Sequence, residues 1–496
     1  MFVSSFLYHC GFSVDAFHPM NRRKSFAAAY ASDQIEHFIL QDHTVAACTD
    51  RIARSFGIPL VRGGPITDDE LAKIARDPLL RKALQSTLIR GLQLELFFTY
   101  LRKALLRLAP EAANGDILLL FSALAQQCFI NEYVYQTDDD EAQQVAKWRE
   151  LIVERMADGN PIEPLIVAAV AAYLPLHSLT DPERLLKQKW PSAIAELLMQ
   201  QIREPLEEIR ERNSIPAITP IADSTSLEVQ RQYEQNPYPR WTKLPPVGKR
   251  VLREVDVLIA GCGTGKHVFD VAELNPRAQI LAIDISITSL AYAKRKVREA
   301  RLTNVEFAQA DILELGTIGR EFDHIEAVGV LHHLADPKAG WDVLLSLLRP
   351  NGTMHIGLYS QLARRAVVEA RAIISREGYE PTSNGIKAMR RMIMRDDSRW
   401  KAITGFSDFY CMSGCRDLLF NVMEHRFDIS DIAEFLKDHK LKFLGFELPA
   451  DVNERFQQQY QNRFLDLDCW QAFELNNPSI FRFMYQFTVG KQSVAI

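Results

Sequence analysis

No stretch of this 496-residue chain stays apolar long enough to cross a bilayer. The longest uninterrupted run, Leu165 to Leu174 in PLIVAAVAAYLPLHS, falls short of the roughly 20 residues a spanning helix needs and is closed by Pro175. It reads as a buried helix. Cysteine is scarce too, and seven thiols, an odd number, do not build a disulfide framework. Only Cys411 and Cys415, in CMSGC, lie close together, and without a second Cys or His pair at zinc spacing no metal site is expected. Net charge is small, −5 at pH 7, so nothing draws the whole molecule to nucleic acid or to an anionic membrane. The amino-terminal segment MFVSSFLYHCGFSVDAFHPMNRR carries its basic residues after the apolar part and has no convincing cleavage site. A cytoplasmic protein is expected, with no membrane insertion and no nucleic-acid partner.

What is present is the composition of a globular protein, 47% hydrophobic and 24% charged, in a chain too long for one core. Residues 1–215 carry helix-period patterns, as in ALQSTLIRGLQLELFFTYLRKALLRLA, broken at Gly63-Gly64-Pro65, Asp77-Pro78, Asn114-Gly115 and Gly159-Asn160-Pro161. No fixed repeat marks a solenoid. Residues 216–250 hold six prolines and several aromatics, which predicts an extended linker or lid. From 251 to 358, short β-branched runs alternate with helical patterns, the signature of a parallel sheet with right-handed crossovers. Residues 359–440 read as a helical insertion. LKFLGFEL and FRFMYQFTV, within 441–496, read as strands completing the sheet as an antiparallel edge pair.

The chemistry concentrates in VDVLIAGCGTGKHVFD, starting at Val255. A phosphate-binding P-loop needs glycine five residues before Gly-Lys and Ser or Thr after it, but Ala260 and His267 stand there. Gly261, Gly263 and Gly265 are spaced Gly-x-Gly-x-Gly rather than Gly-x-Gly-x-x-Gly, so the turn is not shaped for a dinucleotide's pyrophosphate. It brings bare backbone close to a ligand without a diphosphate. Asp284 ends the second strand, where a carboxylate can accept both hydroxyls of a ribose. Asp311 follows the third strand, placed for an adenine amino group with Ile312 packing on the ring. The fourth strand ends in GVLHHL, over the crevice where open α/β sheets bind ligands. These strand ends converge on one adenosine-sized site.

In this order the motifs, over roughly Asp256 to Leu358, resemble the class I S-adenosylmethionine-dependent methyltransferases. The resemblance implies a Rossmann-like α/β fold with a seven-stranded sheet, an all-helical amino-terminal region and a helical insertion before the last strands. It implies S-adenosylmethionine as cofactor, bound by Gly261, Cys262, Gly263, Gly265, Asp284, Ile285, Asp311, Ile312 and Val330. ALAQQCFINEYVY, QYEQNPYPRW, CRDLLFNVMEHRFDISDIAEFL and LDCWQAFELNNPSIFRFMYQF are similar to a proteobacterial subset with helical or tetratricopeptide amino-terminal regions. That subset includes the rickettsial outer-membrane-protein lysine methyltransferases, which makes a protein lysine the first-choice acceptor. A small-molecule methyltransferase is the alternative, and a non-catalytic cofactor-binding scaffold a second one.

Several residues admit two readings. Tyr233, Tyr238 and Trp241 form either a lid over the cleft, with Tyr359 beside it, or an interdomain strap. His332 and His333 stand where an acceptor approaches, and either could take a proton from an ammonium or only cap the strand. Glu424 and Arg426, in EHRF, form either an ion pair on a helix or a substrate contact. The helical half would serve as a docking surface for a protein substrate or as the contact of a homodimer.

Overall fold

The computed structural model describes residues 48–49, 51–57, 64–108, 115–242 and 252–491. Expectations that touch the remaining residues, including most of the first fifty and the prolines at 245 and 246, lie outside them. Seven strands form one sheet, in the order β3-β2-β1-β4-β5-β7-β6. In chain order they are β1 (Asp256–Ala260), β2 (Gln279–Asp284), β3 (Val305–Gln309), β4 (Phe322–Val328), β5 (Leu348–Leu358), β6 (Leu441–Phe446) and β7 (Tyr485–Lys491). The first five run parallel; β7 enters antiparallel between β5 and β6, and β6 forms the edge. The order reverses between β2 and β4 beside β1, so the carboxyl ends of these strands flank a crevice.

Alternation along the strands separates the two faces. Leu258, Leu281, Ile325, Ile356 and Phe487 pack into one core with Trp341, Phe435 and Trp470. Val257, Ile259, Ile280 and Ala282 pack into the other, against Val268, Leu290 and Val297 from the crossover helices. A one-residue slip in any strand would exchange these sets, so the apolar pattern fixes the register.

A third core is wholly helical. Its amino-terminal part includes the helices Gly115–Ile130 and Pro164–Ala171, the latter buried from Leu165 to Ala171 as the apolar run at Leu165 predicts. Val367, Ala370, Ile386, Met389, Trp400, Phe409, Cys415 and Leu419 join the same core. Most of the insertion is therefore continuous with the amino-terminal helices, whereas its last helix, Ile429–Asp438, packs on the sheet. Arg390, fully buried, donates to both carboxylate oxygens of Glu95 at 2.9 and 2.7 Å and to the Phe409 carbonyl at 2.9 Å, joining the two segments. Among the described residues no helix is long and apolar enough to cross a membrane.

One expectation for residues 216–250 is corrected: helix α1 (Ser224–Gln235) lies inside them. The prolines flank it at 220 and 237 and leave its interior free, and Asp223 caps its start by accepting from the Ser226 amide. Helices α2 (Lys266–Leu274) and α3 (Ile287–Glu299) follow β1 and β2. In the insertion, α4 (Met412–Phe420) reaches toward the crevice.

Candidate functional site

At the carboxyl ends of β1, β2 and β4 lies a cavity of about 600 Å³. Gly261, Cys262, Gly263, Asp284, Ile285, Asp311, Ile312 and Val330 all line it. The glycines are required by conformation and by space. Gly261 and Gly263 have φ of +70° and +53°, a region that side chains disfavour. A Cβ at Gly261 would sit 2.3 Å from Val330, and one at Gly263 2.5 Å from the Tyr238 carbonyl oxygen. Gly265 departs from expectation, because it does not line the cavity. A Cβ there would sit 2.5 Å from the Ala293 methyl, so this glycine lets the turn pack on α3.

The two acids have different environments. Asp284 accepts from the Gly263 amide at 2.7 Å and from the Ser286 amide at 2.9 Å, which orients its carboxylate and leaves lone pairs on both oxygens. Burial pushes its carboxyl up to about 6, partly offset by those amides. Asp311 accepts from the Leu313 amide through one oxygen at 3.0 Å, while its buried Oδ2 has no partner among the described residues. A buried carboxylate oxygen without a donor is costly unless a ligand supplies one. An amino group between apolar walls, here Ile285 and Ile312, meets that need.

The segment before β1 closes over the glycine turn. The Tyr238 carbonyl accepts from the Thr264 amide at 3.2 Å, and the Thr264 hydroxyl donates to the Pro239 carbonyl. Tyr238 donates to Asp408, and Tyr233 donates to Asp417 at 2.6 Å, so both tyrosines line the cavity while tied to the helical body. Trp241 does not line it, contrary to expectation. Its indole donates to the Thr264 carbonyl at 3.0 Å and its ring packs edge-on against Phe269 and Tyr292, bracing the turn from behind.

The adjacent histidines diverge because they stand on one short 3₁₀ turn, Leu331–His333. His333 lines the cavity. Its Nδ1 lies 2.7 Å from the Met423 carbonyl, an acceptor only, so the proton sits on Nδ1 and Nε2 carries the lone pair. His332 is fully buried, lies outside the cavity lining and stacks on Tyr359 at 3.9 Å, and burial pushes its imidazole well below the usual histidine range. It therefore stays neutral and away from the cleft, a correction to its expected place. Tyr359 lines the cavity, with the Arg364 guanidinium 3.9 Å from its ring centroid.

Glu424 and Arg426 lie in the non-helical link after α4 rather than on a helix. Glu424, with no exposed side chain, pairs chiefly with Arg364, and also with Arg371 and Arg426 at 3.7 and 3.6 Å. Cys411 and Cys415 are buried thiols, and among the described residues no group of three His, Cys, Asp or Glu gathers as a metal site. Sequence reasoning missed Asp417, His267 and Glu447, all cavity-lining. Asp417 stands within CRDLLFNVMEHRF, but helical spacing alone does not bring an insertion residue to a sheet edge.

Residues 253–390 match a family model described as "Methyltransferase domain". An uncharacterised protein of Synechococcus sp. is 31% identical over 260 residues, covering 47% of this chain and 60% of that protein. An uncharacterised protein of Rickettsia prowazekii is 31% identical over 139 residues, covering 25% of this chain and 56% of the relative. The chain thus spans little more than half the length of these curated relatives. Among solved structures, PKMT2 from Rickettsia typhi is similar with a TM-score of 0.39 and 19% identity, over 56% of this chain and 55% of that one.

Proposed function

We propose, since residues 253–390 form a class I methyltransferase domain whose methyl donor is S-adenosylmethionine, that the whole protein is a methyltransferase acting on nitrogen, with a protein lysine as acceptor. The observation that carries the reading is the single cavity lined by Gly263, Asp284 and Asp311, with one buried Asp311 oxygen awaiting a donor. The residues fit the cofactor. Asp311 would accept from the adenine amino group between Ile285 and Ile312, and Asp284 would accept from the ribose hydroxyls. Gly261, Cys262 and Gly263 would face the amino-acid end with main chain, beside Val330. S-adenosylmethionine supplies, when bound, an electrophilic methyl group on sulfur.

This chain's own task is then to position a nucleophile and remove its proton. His333 is suited to the second, because its Nδ1 is engaged by the Met423 carbonyl and its Nε2 lone pair is left free on a residue that lines the cavity. Support for a polypeptide acceptor comes from the motifs between Leu118 and Phe487 and from the helical body beside the cleft, which offers more contact area than a metabolite needs. We place the protein in the cytoplasm and keep a homodimer through the helical body as part of the reading.

Incubating the protein with methyl-labelled S-adenosylmethionine and a cell extract tests this. Label on polypeptide, stable to acid and released as methylated lysine, is expected. Label confined to small molecules would favour a metabolite acceptor, and no label at all would favour a cofactor-binding scaffold.

A further inference from the structure

One end of the cavity has a composition the cofactor leaves unused. It is formed by α1, the end of β5, the turn after β4 and α4, so it lies between the sheet and the helical body. Asp417 on α4 is 4% exposed and lines it. Its Oδ1 is taken, accepting from the Tyr233 hydroxyl at 2.6 Å and from the Asn421 amide at 3.0 Å. Its Oδ2 makes no hydrogen bond to any described residue. Neither does the Tyr359 hydroxyl or Nε2 of His333, both also at this end. The His333 ring lies 6.3 Å from that of Tyr233 and 6.1 Å from that of Tyr359, so these groups share one small space.

The three open groups can all accept: a carboxylate oxygen, a phenol oxygen that also carries a proton to donate, and an imidazole nitrogen. A primary ammonium brings three N–H donors and one positive charge. The nearby guanidinium of Arg364 lies over the Tyr359 ring and pairs chiefly with Glu424, a carboxylate that Arg371 and Arg426 share. Asp417 has no cationic partner within ion-pair distance among the described residues. A nine-tenths-buried carboxylate in that state favours a bound cation strongly. The Tyr233 ring adds an aromatic wall, which suits an alkyl chain ending in a positive charge.

We propose that this end of the cavity is the acceptor site for a primary alkylammonium, held by Asp417 with Tyr359 and His333, so that the insertion rather than the sheet decides what is methylated. The inference rests on the methyltransferase reading above. In the step it serves, the ammonium passes one proton to His333 Nε2. Its freed lone pair then forms the N–CH₃ bond as the S–CH₃ bond breaks, and the sulfur keeps that electron pair as a neutral thioether. Asp417 and Tyr359 hold the remaining N–H groups and so aim the lone pair.

The full chain saturated with S-adenosylhomocysteine is titrated with n-butylammonium and, separately, with n-butanol. We expect the ammonium to bind at least about tenfold more tightly, which is about 1.4 kcal/mol. Asp417→Asn, of the same shape, should abolish that preference and leave S-adenosylhomocysteine affinity unchanged. Equal binding of alcohol and ammonium by the unaltered protein would overturn the proposal without any variant. So would Asp417→Asn that loses S-adenosylhomocysteine affinity but keeps the ammonium preference, which would assign the carboxylate to the cofactor. If S-adenosylhomocysteine fails to bind the unaltered protein, the methyltransferase reading itself falls, and this inference with it.

Discussion

Asp284 is held where water would normally solvate a carboxylate, and its two amide donors only partly offset that loss, so its carboxyl is pushed up to about 6. Two pH effects of opposite sign follow. Between about pH 4, where the unfolded chain releases this proton, and pH 6, where the native chain does, the unfolded state holds fewer protons, so Asp284's contribution to stability falls as pH rises. Ligand binding runs the other way, because only the ionised carboxylate offers acceptors to two hydroxyls. Calorimetry should find S-adenosylhomocysteine bound about tenfold more weakly at pH 5 than at pH 7, a loss that Asp284→Asn should flatten. An unchanged affinity across that range would remove Asp284 from the ribose site. Gly265 carries the complementary lesson. Motif spacing groups it with Gly261 and Gly263, yet its missing side chain serves the contact with Ala293.

At the scale of elements, the segment from α1 through Trp241 borders the cavity through Tyr233 and Tyr238. It is anchored at both ends, by Tyr233 and Tyr238 to acids of the helical body and by Trp241 and the Tyr238 carbonyl to the glycine turn. Tyr233 and Tyr238 both line the cavity and tie this segment to the helical body. Tyr238→Phe removes the hydroxyl that donates to Oδ1 of the half-buried Asp408 carboxylate and leaves that oxygen without this donor. We expect it to lower unfolding stability by about 1–3 kcal/mol in urea titrations, with backbone contacts to Thr264 preserved. Tyr238→Ala also removes a cavity wall, and should weaken S-adenosylhomocysteine binding where Tyr238→Phe barely does. Equal affinities in the two variants would show that the ring contributes nothing to the site.

On the scale of the molecule, two segments separated by the whole parallel sheet share one helical core, and the Arg390–Glu95 pair lies across their junction. Breaking one partner strands a buried charge, so Arg390→Met should cost about 3–5 kcal/mol. Glu95→Leu combined with it should recover much of that, because the pair is then replaced by apolar volume. Thermal unfolding of the single and double variants measures both. S-adenosylhomocysteine affinity should stay near that of the unaltered protein, since neither residue lines the cavity. A single variant as stable as the parent would mean the two segments do not depend on this contact.

The sequence by itself determined the sheet and the gathering of Gly261, Gly263, Asp284 and Asp311 at one cavity. Strand alternation is local, and the glycine turn and its two acids are tied to the ends of particular strands, so a right-handed parallel sheet brings them together with little freedom. Tertiary structure alone decided the rest. Whether Trp241 faces the cavity, which of two adjacent histidines does, and that Asp417 stands beside them depend on how a distant helical body docks across the sheet edge. That docking is fixed by buried contacts between residues far apart in sequence, which no period or spacing along the chain encodes.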